Sequence, residues 1–285
     1  VAGMPRSGTT FLYHNLNKHP NIFLPFRKEV NFFNVRYDLG INWYHDLYKE
    51  RNKDQICGDI SPPCFLDVNS IDRIKEYNSN AKIIFSVRDP VEWALSFYSQ
   101  FSSFKFNMPP FKDFLDGYEY TIKNKSLFVK FKNDEIIDTI DLFMKQFGEN
   151  ILVYDFSFFK KETLSILKAI EKFVGVPPFF ESHNFDNVKI NASNRRNLKF
   201  VSNILQQEWF ISFLQKVIPR KIVLHFRNRF DKVSAKNTSK NSHKSFYTSE
   251  DIKLAESELS GQRAQVRKLF EGYPLILGTG KPFKV

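Results

Sequence analysis

The 285-residue sequence is 42% hydrophobic and 26% charged, with a formal net charge of +11, which fits one soluble-type domain with a sizeable core and a polyanionic ligand. Its two cysteines, Cys57 and Cys64, make no disulfide framework, and with 6 histidines and no Cys-X-X-Cys pair they argue against structural zinc. No apolar run approaches the roughly 20 residues that span a bilayer, no signal peptide is legible, and no like-charge block suggests a nucleic-acid tail.

In chain order, Val1 and Ala2 read as the end of a first strand, followed by a loop over residues 3–8. Thr9–Asn17 has helical spacing through Leu12 and Leu16, and Pro20 stops it soon after. Asn21–Leu24 is a short extended run, followed by Arg27-Lys28-Glu29-Val30-Asn31-Phe32-Phe33 and an aromatic stretch around Trp43 and Tyr44. Lys82–Val87 is the best candidate for a buried strand, being short, apolar and β-branched. Pro90 stands where a helix starts, and Trp93, Ala94, Phe97, Tyr98 and Phe101 carry the helical spacing, with Trp93 and Phe97 expected in the core. Asn150–Phe156 is a second central strand, and Glu162–Val174 an amphipathic helix ended near Gly175 and Pro177. From about Asn197 the chain reads as mostly helical, with a surface loop over Lys232–Lys244. Alternating strands and helices predict an α/β fold, a central parallel sheet flanked by helices with a helical C-terminal part, in a single domain over 1–285.

Gly3-Met4-Pro5-Arg6-Ser7-Gly8-Thr9-Thr10 nearly matches the nucleotide-binding P-loop, but Thr9 stands where that pattern has lysine. A glycine turn leading from a strand into a helix presents unpartnered backbone N–H groups and the positive end of a helix dipole. Ser7, Thr9 and Thr10 add hydroxyls, and Arg6 adds a planar cationic fork suited to phosphate or sulfate. A plain turn with a capped helix, an ATPase loop and a loop for another phosphate all remain open on these residues. Arg88 follows the strand at its C-terminal end, where ligands bind in open α/β sheets. Ser96 lies two helical turns beyond, so a single ligand group touched from both places is one reading, and a strand-end Arg88–Asp89 salt bridge with Ser96 as a small packing residue is the other.

Pro5-Arg6-Ser7-Gly8-Thr9-Thr10-Phe11-Leu12 resembles the 5′-phosphosulfate loop of the sulfotransferase superfamily, and Val87-Arg88-Asp89-Pro90 with Ala94-Leu95-Ser96-Phe97-Tyr98 resembles its 3′-phosphate motif. The resemblance implies a P-loop-type nucleotide-binding fold and transfer of a sulfuryl group from 3′-phosphoadenosine 5′-phosphosulfate (PAPS) to a hydroxyl or amine, without a metal and with adenosine 3′,5′-bisphosphate as product. It implies that Arg6, Ser7, Gly8, Thr9, Thr10 and Phe11 hold the 5′-phosphosulfate and that Arg88 and Ser96 hold the 3′-phosphate. Lys28-Glu29-Val30-Asn31-Phe32-Phe33 is similar to the segment of heparan-sulfate and related Golgi-type enzymes that carries the catalytic base, implying Glu29 as base, Lys28 beside it and Arg6 stabilising leaving-group charge. Arg6 itself departs from that branch, which usually has lysine there, and looks closer to protein-tyrosine sulfotransferases. Asn191 to Arg196 resembles a basic loop that closes over the nucleotide, implying Arg195 and Arg196 as donor contacts.

The acceptor is expected to be a small hydroxylated or aminated metabolite of natural-product tailoring, with a glycan as the rival, and no nucleic acid. His45, Asp59 and Ser61 are candidate acceptor contacts, Asp59 and Ser61 alternatively orienting Lys28, and the aromatic segment 98–145 is a candidate acceptor mouth. A cytoplasmic, bacterial setting is expected, or a Golgi lumen if an anchor stood upstream of Val1. A P-loop kinase or ATPase and a non-catalytic polyanion binder are the competing classes.

Overall fold

The computed structural model describes residues 1–104, 107–122, 125–132, 134–182, 184–185 and 246–271. In chain order the elements are α1 (Thr9–Leu16), β1 (Ile22–Phe23), α2 (Gly40–Asp46), β2 (Ile56–Cys57), α3 (Asn69–Tyr77), β3 (Ile83–Val87), α4 (Pro90–Phe104), α5 (Phe111–Asp116), β4 (Tyr118–Ile122), β5 (Lys125–Val129), α6 (Glu135–Phe147), β6 (Ile151–Asp155), α7 (Phe156–Phe159), α8 (Thr163–Val174) and α9 (Ser249–Glu271). The loop expected over Lys232–Lys244 and the basic residues Arg195 and Arg196 lie outside the described residues.

The centre of the fold is β3, buried along its whole length. It pairs in parallel with β6, from Ile83 opposite Ile151 to Val87 opposite Asp155. On its other side runs the segment Val1–Met4, whose Ala2 and Met4 N–H groups donate to Ile84 O and Ser86 O at 3.0 Å each. Ser61 N–H donates in turn to Val1 O at 3.1 Å, extending the sheet toward β2, which pairs in parallel with β1. Five extended segments thus run in one direction, and the strand-like start expected at Val1 and Ala2 is the middle one. Gly3 is required there, because a Cβ would come within 2.1 Å of Ser86 N.

Side-chain alternation along β3 divides the core in two. Ile83, Phe85 and Val87 point into one apolar cluster with Trp93, Phe97, Phe131 and Phe143. Ile84 points into the other, with Leu12, Leu16, Leu152, Ile166 and Ile170. Period-two alternation with both faces apolar is the signature of a sheet covered by helices on both sides. Helices α1 and α8 cover one face, and α4 and α6 the other. The expected α/β fold, a parallel sheet flanked by helices, is therefore observed, and α9 supplies a helix on the C-terminal side.

The aromatic segment 98–145 goes mainly into the core rather than forming a mouth. β4 and β5 form an antiparallel hairpin. Tyr118 and Tyr120 turn inward onto Phe101, whose ring lies 5.2 Å from each of theirs. Phe114 and Phe131 stack at 4.8 Å. Among the described residues no helix is long and apolar enough to cross a membrane.

A buried histidine locks α1 to the end of α8. His19 Nδ1 accepts the Asn21 N–H at 3.1 Å, so its Nε2 carries the hydrogen and faces Pro177 O at 3.1 Å and Glu171 Oε1 at 3.4 Å. The same Glu171 oxygen accepts the N–H groups of Phe179 and Phe180. Burial pushes the His19 pKa down, against the opposing pull of Pro177 O and Glu171. A neutral buried histidine contributes stability that is full above its unfolded pKa of about 6.5 and is lost as pH falls toward its lower folded value. Thermal melts from pH 7.5 to 5 should show a falling midpoint, and His19→Gln should remove part of that slope. An unchanged slope in the variant would show that His19 does not titrate on unfolding.

Candidate active site

The loop over residues 4–8 is held from behind. Trp93 Nε1 donates to Pro5 O at 2.9 Å, Arg88 Nη1 to Arg6 O at 2.9 Å, and the Tyr154 hydroxyl reaches Ser7 O at 3.5 Å. Three successive carbonyls therefore point toward β3, α4 and β6. In a trans peptide the following N–H points the opposite way, so the N–H groups of Arg6, Ser7 and Gly8 face away from the core, an arrangement suited to an anion. Gly8 has φ +82° and starts α1, and a Cβ there would lie 2.6 Å from Phe159 Cε1. No side chain caps α1, which leaves its first N–H groups available together with Thr9 and Thr10. Phe11 lies one position further along, buried edge-on against Phe159 at 5.2 Å, and so serves packing.

Two guanidinium groups lie side by side here. Burial pushes the Arg6 pKa down to about 10, and the charge of Arg88 adds to the effect while Glu29 opposes it. Burial also lowers Arg88, with Glu92 and Asp89 opposing. At about 10, Arg6 stays protonated at neutral pH. The Arg88 guanidinium sits over the Phe156 ring at 4.9 Å and meets Glu92 Oε2 at 3.4 Å. Arg6 Nε, Arg88 Nε and Ser7 Oγ are buried without a hydrogen-bond partner. Buried donors of this kind are costly unless something pairs with them, and an anion would satisfy them. Ser96 is half-buried on α4, one turn after Glu92 and on the same face.

The second part of the site is a strained turn. Among the described non-glycine residues, only Arg6 (φ +69°), Glu29 (φ +61°) and Asn31 (φ +54°) have positive φ. Such conformations cost about 1–3 kcal/mol each and persist where the surroundings impose them. Here the Glu29 N–H donates to Ile60 O at 3.1 Å, the Asn31 N–H to Ser61 Oγ at 2.8 Å, and the Arg36 side chain to Val30 O. The Tyr13 hydroxyl lies 2.8 Å from both Pro25 O and Phe26 O, tying α1 to the approach to this turn. Lys28 Nζ meets Glu29 Oε1 at 2.7 Å, and the side chains are 8% and 41% exposed respectively, so the lysine is anchored and the carboxylate faces outward. Tyr120 is close enough for the Glu29 charge to raise its pKa, after the larger effect of burial.

The structure thus brings Arg6, Ser7, Gly8, Thr9, Thr10, Lys28, Glu29 and Arg88 into one region. Asp59 and Ser61 are brought in behind it: Ser61 Oγ donates to Asp59 Oδ1 at 2.6 Å while accepting from Asn31, and the Tyr44 hydroxyl donates to Asp59 Oδ2 at 3.3 Å. Burial raises the Asp59 pKa, against the pull of the Ser61 hydrogen bond. These residues buttress the Glu29 turn, and the Lys28 hydrogen bond goes to Glu29. His45 is exposed on α2, and its Nε2 pairs with the Tyr77 hydroxyl at 3.2 Å. Sequence reasoning missed the roles of Tyr154 and Phe156 and assigned Trp93 to the core alone. A tryptophan five residues after a strand-end arginine carries no local signal that its ring N–H holds a loop 88 positions away.

Residues 1–249 match the family model described as Sulfotransferase domain. Over 101 residues the chain is 39% identical to the membrane-associated sulfotransferase kil1 of Dictyostelium discoideum, covering 34% of this chain and 21% of that protein. Over 126 residues it is 32% identical to the heparan sulfate glucosamine 3-O-sulfotransferase 3B1 of Homo sapiens, covering 44% of this chain and 30% of that one. It spans less than a third of the length of either relative. In fold it is similar to a sulfotransferase from Alicyclobacillus acidocaldarius, with a TM-score of 0.53 and 19% identity over 74% of this chain and 94% of the other. A P-loop-like anion cradle at the end of the central strand and a family match over most of the length lead to one conclusion: the chain belongs to the sulfotransferase domain family.

Proposed function

We propose that this protein transfers a sulfuryl group from PAPS to a hydroxyl group, with Glu29 as the general base. The observation that carries the reading is the pair of buried guanidinium groups, Arg6 and Arg88, whose Nε atoms lack partners beside a loop with its N–H groups turned outward. A donor carrying a 5′-phosphosulfate and a 3′-phosphate fits that charge. Arg6, Ser7, Gly8, Thr9 and Thr10 would hold the first group, and Arg88 and Ser96 the second. The donor supplies an electrophilic sulfuryl group and a stable leaving group, adenosine 3′,5′-bisphosphate. Glu29 takes the proton of the attacking hydroxyl, which is the contribution a positioned carboxylate makes to such a transfer. Lys28, anchored beside Glu29 at 2.7 Å, orients that carboxylate. Arg6 places positive charge where negative charge develops on the departing oxygen. The loop has Thr9 where an ATPase has lysine, which disfavours the kinase reading.

For the acceptor, the names of the relatives favour a sugar hydroxyl over the small metabolite expected from the sequence. The outward-facing Glu29 suits an extended acceptor that reaches the base from the surface.

Calorimetry without magnesium should show adenosine 3′,5′-bisphosphate binding more tightly than ATP. Arg88→Ala should weaken bisphosphate binding about 10- to 100-fold, the range for a charged hydrogen-bonding partner. A preference for ATP would reject the donor assignment. Glu29→Gln should lower turnover at least about 100-fold while bisphosphate affinity holds; turnover within a few-fold of the parent would rule Glu29 out as base. Ser61→Ala should lower kcat about tenfold through a loosened Glu29 turn and leave bisphosphate affinity unchanged, with Ser61→Thr retaining most of the rate.

A further inference from the structure

The long helix α9 begins where the family match ends, at Ser249, so nearly all of it lies beyond the matched region. It packs along α4 through Ala255, Leu259 and Val266, all buried in the larger core cluster. Those positions and Gln262, which donates to Phe131 O at 2.5 Å, recur at helical spacing and fix the rotation of the helix. That rotation places Arg263 against Asp89, the residue next to Arg88. Arg263 Nε lies 2.6 Å from Asp89 Oδ2 and Nη2 lies 3.2 Å from Oδ1, a two-bond fork. Glu256, two turns earlier on α9, holds the outer side of the same guanidinium at 3.1 Å.

Asp89 has two further tasks. Its Oδ1 accepts the Glu92 N–H at 3.1 Å and its backbone oxygen accepts the Trp93 N–H at 2.8 Å, so it fixes the first turn of α4. Its carboxylate is also a negative charge beside Arg88, which by itself would draw that guanidinium inward and repel an incoming phosphate. Arg263 removes both difficulties. It occupies Asp89 through a two-bond fork in a place where the two side chains are 12% and 22% exposed, too enclosed for an ordinary surface pair. Arg88 is then left to reach Arg6 O and keeps its Nε unpartnered.

We propose that Arg263 is a positioning residue of the donor site: from a helix beyond the matched family region, it engages Asp89 and thereby presents Arg88 to the donor's 3′-phosphate. The inference rests on the donor reading above and deepens it. Its test compares two ligands that differ only at that phosphate, in competition binding to the full chain. Adenosine 3′,5′-bisphosphate and adenosine 5′-monophosphate are measured against the parent, Arg263→Ala and Arg263→Lys. Arg263→Ala should weaken the bisphosphate about tenfold, the scale of coupling between residues in one network, and leave the monophosphate within about twofold. Arg263→Lys, which keeps the charge without the fork, should fall between. With PAPS as donor, the alanine variant should show a raised KM and a nearly unchanged kcat. Equal weakening of both ligands would show that Arg263 acts only on folding, and no weakening of either would show that Asp89 needs no partner; each overturns the proposal. If the parent itself does not distinguish the two ligands, the donor reading fails first, and this inference fails with it.

Discussion

The site depends on carbonyl oxygens being pulled the wrong way for a simple turn. Pro5, Arg6 and Ser7 each give their carbonyl to a side chain from another element: Trp93 of α4, Arg88 after β3, and Tyr154 of β6. Because each peptide is planar, the matching N–H groups must face outward. A loop without these three partners would be free to satisfy itself by turning inward, and the positive end of α1 would lose its concave rim. Arg88 has a double place in this arrangement, since one end of its guanidinium braces the loop while its Nε stays unpartnered.

The same logic governs the Glu29 turn. A glutamate at φ +61° and an asparagine at φ +54° within three residues is an unfavourable backbone for those side chains. It is maintained by neighbours on the adjacent segment, Ile60 O and Ser61 Oγ, and Ser61 is itself held by Asp59. The two strained loops are joined at their bases, because Ser61 N–H also bonds Val1 O at the start of the phosphate-loop strand. Arg6 and Glu29 therefore sit in loops tied from two sides to the same extended segment, residues 59–61, which couples the cation and the carboxylate through the sheet. Function placed on such a scaffold needs little reorganisation.

Much of this was legible in the sequence. The run AKIIFSV, with its β-branched apolar content, gave β3 nearly to the residue, and NILVYDF gave β6. Both strands are buried on two faces, and continuous apolarity marks that burial directly. Helices α1 and α8 were readable from their spacing and from the stops at Pro20 and Gly175, the latter at φ +82°. The β4–β5 hairpin was not readable, because its tyrosines and phenylalanines look alike whether they line a mouth or fill a core. The surroundings of His45 were not readable either: its neighbour Tyr44 is buried, but one step along a helix turns the side chain by about a quarter of a turn, and His45 emerges on the surface.

The sequence by itself determined the chemistry available: a glycine turn with hydroxyls and Arg6, a strand-end Arg88, and a Lys28–Glu29 pair. Those are covalent identities at fixed spacing, and spacing decides which local turn or helix each one occupies. Tertiary structure alone decided which way each group points. Trp93 and Tyr154 turn the loop, Asp59 and Ser61 lock the Glu29 turn, and Arg263 reaches Asp89 across a separation of 174 residues. Those contacts depend on how sheet and helices pack, and packing joins residues whose distance along the chain carries no information about their distance in space.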